Sequence, residues 1–152
     1  MPAKPARRRS SVPPQILEQY VVAVADWDLQ WLFSIADPKR ETGPYREHTT
    51  LILRGGLHRP ILPTYPRAEI RLSGRAVLPE PWLQGPPQSL GTLDARGDCL
   101  QGYATLPLER VTLLAAAAPR IRLVALTATR LYRRKGSVCG LHVDTAFDPE
   151  EW

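Results

Sequence analysis

The sequence predicts a mostly β domain of the α+β class, with an antiparallel sheet or partly closed barrel of about seven to eight strands and one helix packed on it. The 152 residues, 43% of them apolar, are enough for one domain with a core. The 16 prolines and 10 glycines argue against a helix bundle, because proline breaks helix interiors and both residue types mark turns. Several segments alternate apolar and polar residues, which is the period of a strand with one face on a core.

Charge divides the chain into a basic arm and a nearly neutral body. Four of the 20 basic residues precede the first acidic residue, Glu18, and they are Lys4, Arg7, Arg8 and Arg9. The rest of the chain contains 16 basic and 15 acidic side chains, which is a net charge of +1. Because residues 1–15 are rich in proline and positive charge and offer little to bury, we expect them to form a disordered arm.

The chain after the arm is predicted to form one β-rich globular domain over residues 16–147, followed by a short acidic tail, residues 148–152. Trp27 and Trp31 are interpreted as packing in the core or at its rim. Trp152 ends the tail beside two acidic residues, and we expect it either to dock on another surface or to be disordered.

The first half of the globular domain contains three predicted strands. The apolar run over 19–25 predicts a strand buried on both faces, and the alternation over 29–35 predicts a second strand after a turn at Asp26–Asp28. A third strand covers His48–Arg54, and we expect Gly55–Gly56 to end it.

A β-hairpin is predicted in the middle of the chain. It follows the clearest alternation of the sequence, the strand predicted from Arg67 to Leu78. The segments 89–95 and 100–106 form the two arms of the hairpin, and Arg96–Asp98 contains the glycine expected in its tight turn.

The one predicted helix begins near Pro107, because proline suits the first turn of a helix, and continues to Ala118. Its apolar residues fall on one stripe, so the helix should lie against the sheet. A long strand is predicted over Ile121–Arg133, and Gly136 is expected to turn the chain into a last strand, Val138–Phe147.

The cysteines and the hydropathy favour a cytoplasmic location. Cys99 and Cys139 lie forty residues apart and do not form a disulfide framework. The residues after the arginine run lack the apolar segment of a secretory signal. No segment approaches the roughly 18 apolar residues of a membrane span, so we expect no membrane partner.

Catalytic and metal-binding constellations are weakly represented. His142 and Asp144 are two residues apart on a predicted strand and would point the same way, and Cys99 could complete a nucleophilic or metal-binding set with them. Paired CxxC motifs, a phosphate-binding loop and a nucleophile elbow are all missing. The sequence therefore predicts no catalytic residue, no metal site and no cofactor, and a small enzyme remains the alternative.

Two basic segments are the candidate contacts for an acidic partner. The first is Arg7, Arg8 and Arg9. The second is the run Arg130, Tyr132, Arg133, Arg134 and Lys135, which mixes an aromatic ring with cations as single-strand binders do. The alternative interpretation of the second segment is the end of a hairpin kept soluble by its charge.

Three hypotheses about function follow. The first is a non-enzymatic binding or accessory module of a larger assembly, whose basic arm contacts a protein partner or nucleic acid. The second is a small metal-dependent or nucleophilic enzyme built on Cys99, His142 and Asp144. The third is a structural protein of a particle or homo-oligomer, with the proline-bounded loops at 36–44 and 60–66 as contacts.

Overall fold

The computed structural model describes residues 16–39, 43–76 and 89–152. These residues form seven strands: β1 Leu17–Ile35, β2 Tyr45–Arg59, β3 Arg67–Arg75, β4 Gly91–Arg96, β5 Cys99–Pro107, β6 Leu123–Thr129 and β7 Lys135–Asp144. One α-helix, α1 Leu108–Ala117, follows β5 and continues into a 3-10 turn, Ala118–Arg120. Among the described residues, no helix is long and apolar enough to cross a membrane.

The strands form one mixed sheet that closes into a ring in the order β1-β2-β3-β5-β4-β7-β6, with β6 paired to the first part of β1. The predicted fold class is confirmed: the described residues are mostly β, with one α-helix packed on the sheet. Six of the seven strand pairings are antiparallel, and β3 and β5 are parallel. The parallel pair arises because β4 and β5 form a hairpin and β5, its second arm, is the one that lies beside β3.

The predicted turn at Asp26–Asp28 is wrong, because β1 continues through it as a single strand. A β-bulge inserts one extra residue into β1 at this point, so the register of its pairing with β2 shifts between Val24 and Asp26. Gly55 permits the close approach of the two backbones at this point, since a Cβ there would lie 1.8 Å from the carbonyl oxygen of Ala23. The prediction that Gly55–Gly56 ends β2 is wrong, because β2 continues through both glycines to Arg59.

The second half of the chain follows the predictions more closely. The hairpin around Arg96–Asp98 and the helix after Pro107 are confirmed. The long strand predicted over Ile121–Arg133 is shorter, since β6 ends at Thr129. The chain then turns at Arg133–Arg134 rather than at Gly136, which is part of β7.

The core fills the inside of the ring and is closed on one side by α1. Its largest fully buried side chains include Leu51, Leu53, Ile70, Leu72, Leu93, Leu100 and Leu126. The helix contributes Val111, which is fully buried. Gly74 of β3 allows the helix to lie directly on the sheet, because a Cβ there would be 2.9 Å from the Val111 Cβ and 3.2 Å from the Leu108 Cα.

A smaller apolar cluster lies around Val21, Leu123 and Ala125, and the end of the described chain covers it. Phe147 and Trp152 pack against these residues. His58 Nε2 lies 3.0 Å from the backbone oxygen of Trp152, and the indole stacks at a tilt on the ring of His142, at 4.9 Å between centroids. Trp152 therefore docks on the surface of its own chain.

Candidate binding surfaces

The basic turn, residues 130–135, joins β6 to β7 by a two-residue hairpin loop. Tyr132 and Lys135 exchange backbone hydrogen bonds of 2.8 and 3.1 Å. Between them, Arg133 has φ 51° and Arg134 has φ 68°. Positive φ at both central residues is the geometry of a type I′ turn, which favours Asn-Gly because side chains other than Asn, Asp and Gly resist the left-handed conformation. The turn thus places two arginines where the backbone disfavours them.

The surroundings of the basic turn leave most of its charge available. Arg130 Nε is ion-paired with Glu18 Oε1 at 2.7 Å. Among the described residues, no acidic side chain forms an ion pair with Arg133, Arg134 or Lys135, and all three are exposed. Three cationic groups of the turn therefore have no ion-pair partner within the described part of the chain.

Tyr132 adds an aromatic surface to the basic turn. Its ring is 71% exposed, and the guanidinium carbon of Arg133 lies 5.3 Å from the ring centroid, a cation–π distance. The turn is held to the neighbouring strand, because the backbone N–H of Ala95 in β4 donates to the carbonyl of Arg134 at 2.9 Å. The ring and the charges are thus presented on an anchored backbone.

The described part of the chain begins beside this turn. Arg7, Arg8 and Arg9 lie outside the described residues. The first described residue, Ile16, accepts a 2.8 Å hydrogen bond from the backbone N–H of Arg130. Seven residues span at most about 25 Å, which is the largest distance that can separate Arg9 from Ile16. The described chain therefore begins at the same end of the ring as the basic turn.

The structure does not bring Cys99 together with His142 and Asp144. Cys99 begins β5, where its strand neighbours belong to β3 and β4, whereas His142 is paired with Ala125 of β6. Burial raises the pKa of the Cys99 thiol, which disfavours the thiolate that a nucleophile or a metal ligand needs. No group of three potential metal ligands occurs among the described residues.

His142 and Asp144 do approach each other, at 3.5 Å between Nε2 and Oδ2, on an exposed face. Asp144 also accepts a 3.0 Å hydrogen bond from the backbone N–H of Ala146, which together with His142 lowers its pKa. The carboxylate thus secures the chain after β7. The pair has no nucleophile or third ligand among the described residues.

A charged cluster around Arg54 ties β1, β2 and β3 together at a shallow depression in the surface. The Arg54 guanidinium bonds Asp26 at 3.3 Å, Asp28 at 2.7 Å and Glu69 at 3.0 Å. Arg71 adds a second contact to Glu69, at 2.8 Å. Burial alone would raise the pKa of Glu69, but the hydrogen bonds from Arg71 and Arg54 hold it below its ordinary value. These side chains form ion pairs with one another, so the cluster links the three strands.

An exposed apolar surface covers the distal part of the β1–β2 hairpin, and sequence reasoning missed it. We call residues 26–35 of β1 the distal edge. The apolar residues on one face of it are Trp27, Leu29, Trp31, Phe33 and Ile35, which are 40–84% exposed. Trp31 stacks on Phe33 and Phe33 on Tyr45, at 6.1 and 5.2 Å between ring centroids. The alternation indicated a strand with an apolar face, but it carried no signal about which strands would cover that face.

The distal edge continues the face of β2 that forms the core. Trp27 lies opposite Leu53 and Leu29 lies opposite Leu51, and both leucines are fully buried. Directly opposite residues of an antiparallel pair share one face of the sheet. The interpretation of Trp31 as core or rim packing is wrong, because Trp31 lies beyond the part of β1 that pairs with β6 and is 64% exposed.

Comparison of the chain with protein-family models, with curated proteins and with solved structures found no match.

Proposed function

We propose that this protein is a non-enzymatic binding module of a larger assembly, which contacts an acidic partner through the basic turn together with Arg7–Arg9. One observation carries the proposal: Arg133 and Arg134 occupy both left-handed positions of a two-residue turn and have no acidic partner among the described residues. Backbone strain of this kind persists where the surrounding structure enforces it and is concentrated at functional sites. Asn-Gly would form the same turn at lower cost and without charge.

Nucleic acid is the acidic partner that the chemistry of the turn favours. Arginine binds phosphate through two parallel hydrogen bonds, and Tyr132 offers a ring on which a base can stack. Contacts of this type recognise the backbone and the unpaired bases rather than a defined sequence. The attachment of the basic arm at the same end would add further phosphate contacts.

The test measures binding of single- and double-stranded nucleic acid by fluorescence anisotropy over a salt series. Four proteins are compared: the full chain, a truncation starting at Pro13, the double variant Arg133→Asn/Arg134→Gly, and a control, Arg110→Gln/Arg120→Gln. The control removes the same charge from exposed positions at α1. For single strands, each phosphate contact contributes about −0.7 to the slope of log K against log salt.

We expect the turn variant to flatten that slope by about 1.4, for two lost phosphate contacts, and to weaken binding at low salt. The truncation should flatten the slope further, and the control should change it little. No binding by the full chain at about 50 mM salt, or an equal loss in the control and the turn variant, would contradict the proposal.

A further inference from the structure

Within the described residues, the distal edge has a row of backbone hydrogen-bonding groups that no second strand pairs with. β6 pairs with β1 only over Leu17–Ala23, so beyond the bulge β1 has a strand neighbour on the β2 side alone within the described residues. The backbone N–H of Ala36 donates to Pro44 on that side, at 3.0 Å. Along an antiparallel strand, successive residues direct their backbone N–H and C=O groups to opposite sides. Every second residue before Ala36 therefore directs these backbone groups toward β2 as well. The residues between them therefore turn their N–H and C=O groups to the open edge.

Those outward-facing residues are Trp27, Leu29, Trp31, Phe33 and Ile35. These five positions also carry the exposed apolar side chains of one face of the edge, whereas Leu32, which is 41% exposed, lies on the other face. Native proteins protect such edges with lysine, proline, bulges or charges that point inward. From residue 27 to residue 35 the distal edge contains no proline and no basic residue, and its one charge, Asp28, is ion-paired with Arg54 on the other face.

We propose that two copies of this chain pair antiparallel through their distal edges, about a twofold axis at Trp31. With this register each Trp31 lies opposite its counterpart, Leu29 lies opposite Phe33 and Trp27 lies opposite Ile35 of the second copy. All five outward-facing residues then bond across the axis, in about ten hydrogen bonds. An interface made by the same patch on both copies closes at the dimer.

The other face of the edge is compatible with this register. Gln30 comes to lie opposite Leu32, and Asp28 opposite Ser34, of the second copy. No two like charges are directly opposite each other, which would destabilise the pair. A register centred two residues away in either direction would leave one end of the apolar row unpaired, so the axis at Trp31 uses the edge completely.

The exposed apolar surface is large enough for a stable dimer. Trp31, Phe33, Ile35 and Tyr45 are 64%, 52%, 84% and 60% exposed. Aromatic side chains of this kind bury 150–250 Å² when covered, so these residues with Trp27 and Leu29 offer on the order of 700 Å² per copy. Standard interfaces bury about 800 Å² per partner. A second copy would also provide the backbone partners that a flat apolar contact does not.

The first test is the oligomeric state of the full chain, measured by sedimentation velocity over a concentration series without nucleic acid. Trp31→Lys places two like charges on the axis and should raise the dimer dissociation constant by at least about tenfold. Leu113→Lys is the matched control, because Leu113 is 65% exposed and belongs to α1, not to either strand of the β1–β2 hairpin. We expect the control to dimerise like the unmodified chain. A monomer at about 100 μM, or equal loss of dimer in both variants, would overturn the proposal.

The second test fixes the register and does not depend on a variant that weakens association. In a background with Cys99→Ala and Cys139→Ser, Trp31→Cys should form an intermolecular disulfide with itself on mild oxidation. Its two Cα atoms would be about 5.5 Å apart, within the range a disulfide spans. Phe33→Cys should not crosslink to itself, because the two copies of residue 33 would be roughly 13 Å apart. It should crosslink when mixed with Leu29→Cys. Self-crosslinking of Phe33→Cys in preference to Trp31→Cys would refute the register.

Discussion

Replacing the two arginines of the basic turn should stabilise the fold while it weakens binding. The left-handed backbone of Arg133 and Arg134 destabilises the folded state by roughly 1 kcal/mol per residue. In Arg133→Asn/Arg134→Gly, Asn tolerates this conformation and Gly adopts it freely. Two losses offset part of the gain: the glycine adds roughly 0.7 kcal/mol of conformational entropy to the unfolded chain, and the cation–π contact with Tyr132 contributes about 0.5 kcal/mol. The net gain is about 1 kcal/mol, or roughly 2–4 °C in Tm.

Equilibrium urea unfolding and thermal melting measure this change, and a second hairpin of the same protein calibrates it. Gly97, in the turn between β4 and β5, has φ 60°, and a Cβ there would meet no atom within 4 Å. Gly97→Ala therefore introduces the left-handed penalty without a clash, and we expect a net destabilisation, because this penalty exceeds the entropy that alanine removes from the unfolded chain. If Gly97→Ala is destabilising and the turn variant is not more stable than the unmodified chain, the argument from strain at Arg133 and Arg134 is wrong.

Two further predictions concern stability. Hydrogen bonds from Arg71 and Arg54 lower the pKa of Glu69, so its charged form stabilises the fold at neutral pH, and this contribution is lost as the pH falls below 4.5 through the lower pKa of the folded state. Glu69→Gln should thus be less stable than the unmodified chain at pH 7, with a difference that shrinks in urea unfolding below pH 4.5; a difference that does not vary with pH would contradict the assignment. Trp152→Ala should cost about 2 kcal/mol, because the indole is half-buried on Val21, Leu123 and Ala125, whereas Leu113→Ala on the exposed face of α1 should change stability by less than about 0.5 kcal/mol. Equal effects of these two substitutions in the same unfolding assay would show that Trp152 does not contribute through packing.

The local elements of this fold were predictable where local chemistry determines them. The helix after Pro107 and the hairpin at Arg96–Asp98 follow from a proline at a helix start and a glycine in a tight turn. The continuity of β1 through Asp26–Asp28 was not predictable in the same way. Aspartates commonly serve the backbone of a turn, but these two bond Arg54, which lies some 26–28 residues further along the chain.

The candidate surfaces were predictable only in part. The residues of the basic turn could be named from their charge, but their positive φ values depend on where β6 ends and β7 begins. The distal edge was missed for a related reason. The alternation of Leu29, Trp31 and Phe33 with polar residues indicates that these side chains share one face of a strand, but it does not indicate what packs on that face. That depends on β6, which pairs with β1 only as far as Ala23. Strand order and strand length are tertiary properties that no local pattern encodes.

The closure of the ring between β1 and β6 also has a consequence for the nascent chain. β1 emerges from the ribosome before the other described strands, yet the strand that pairs with its first part, Leu17–Ala23, begins at Leu123, roughly a hundred residues later. At a synthesis rate of 5–20 residues per second, this delay lasts roughly 5–20 s. During that time β2 can cover one side of β1, while the other side is exposed along its whole length. Chaperone capture of ribosome-bound chains should therefore be strongest before β6 is made.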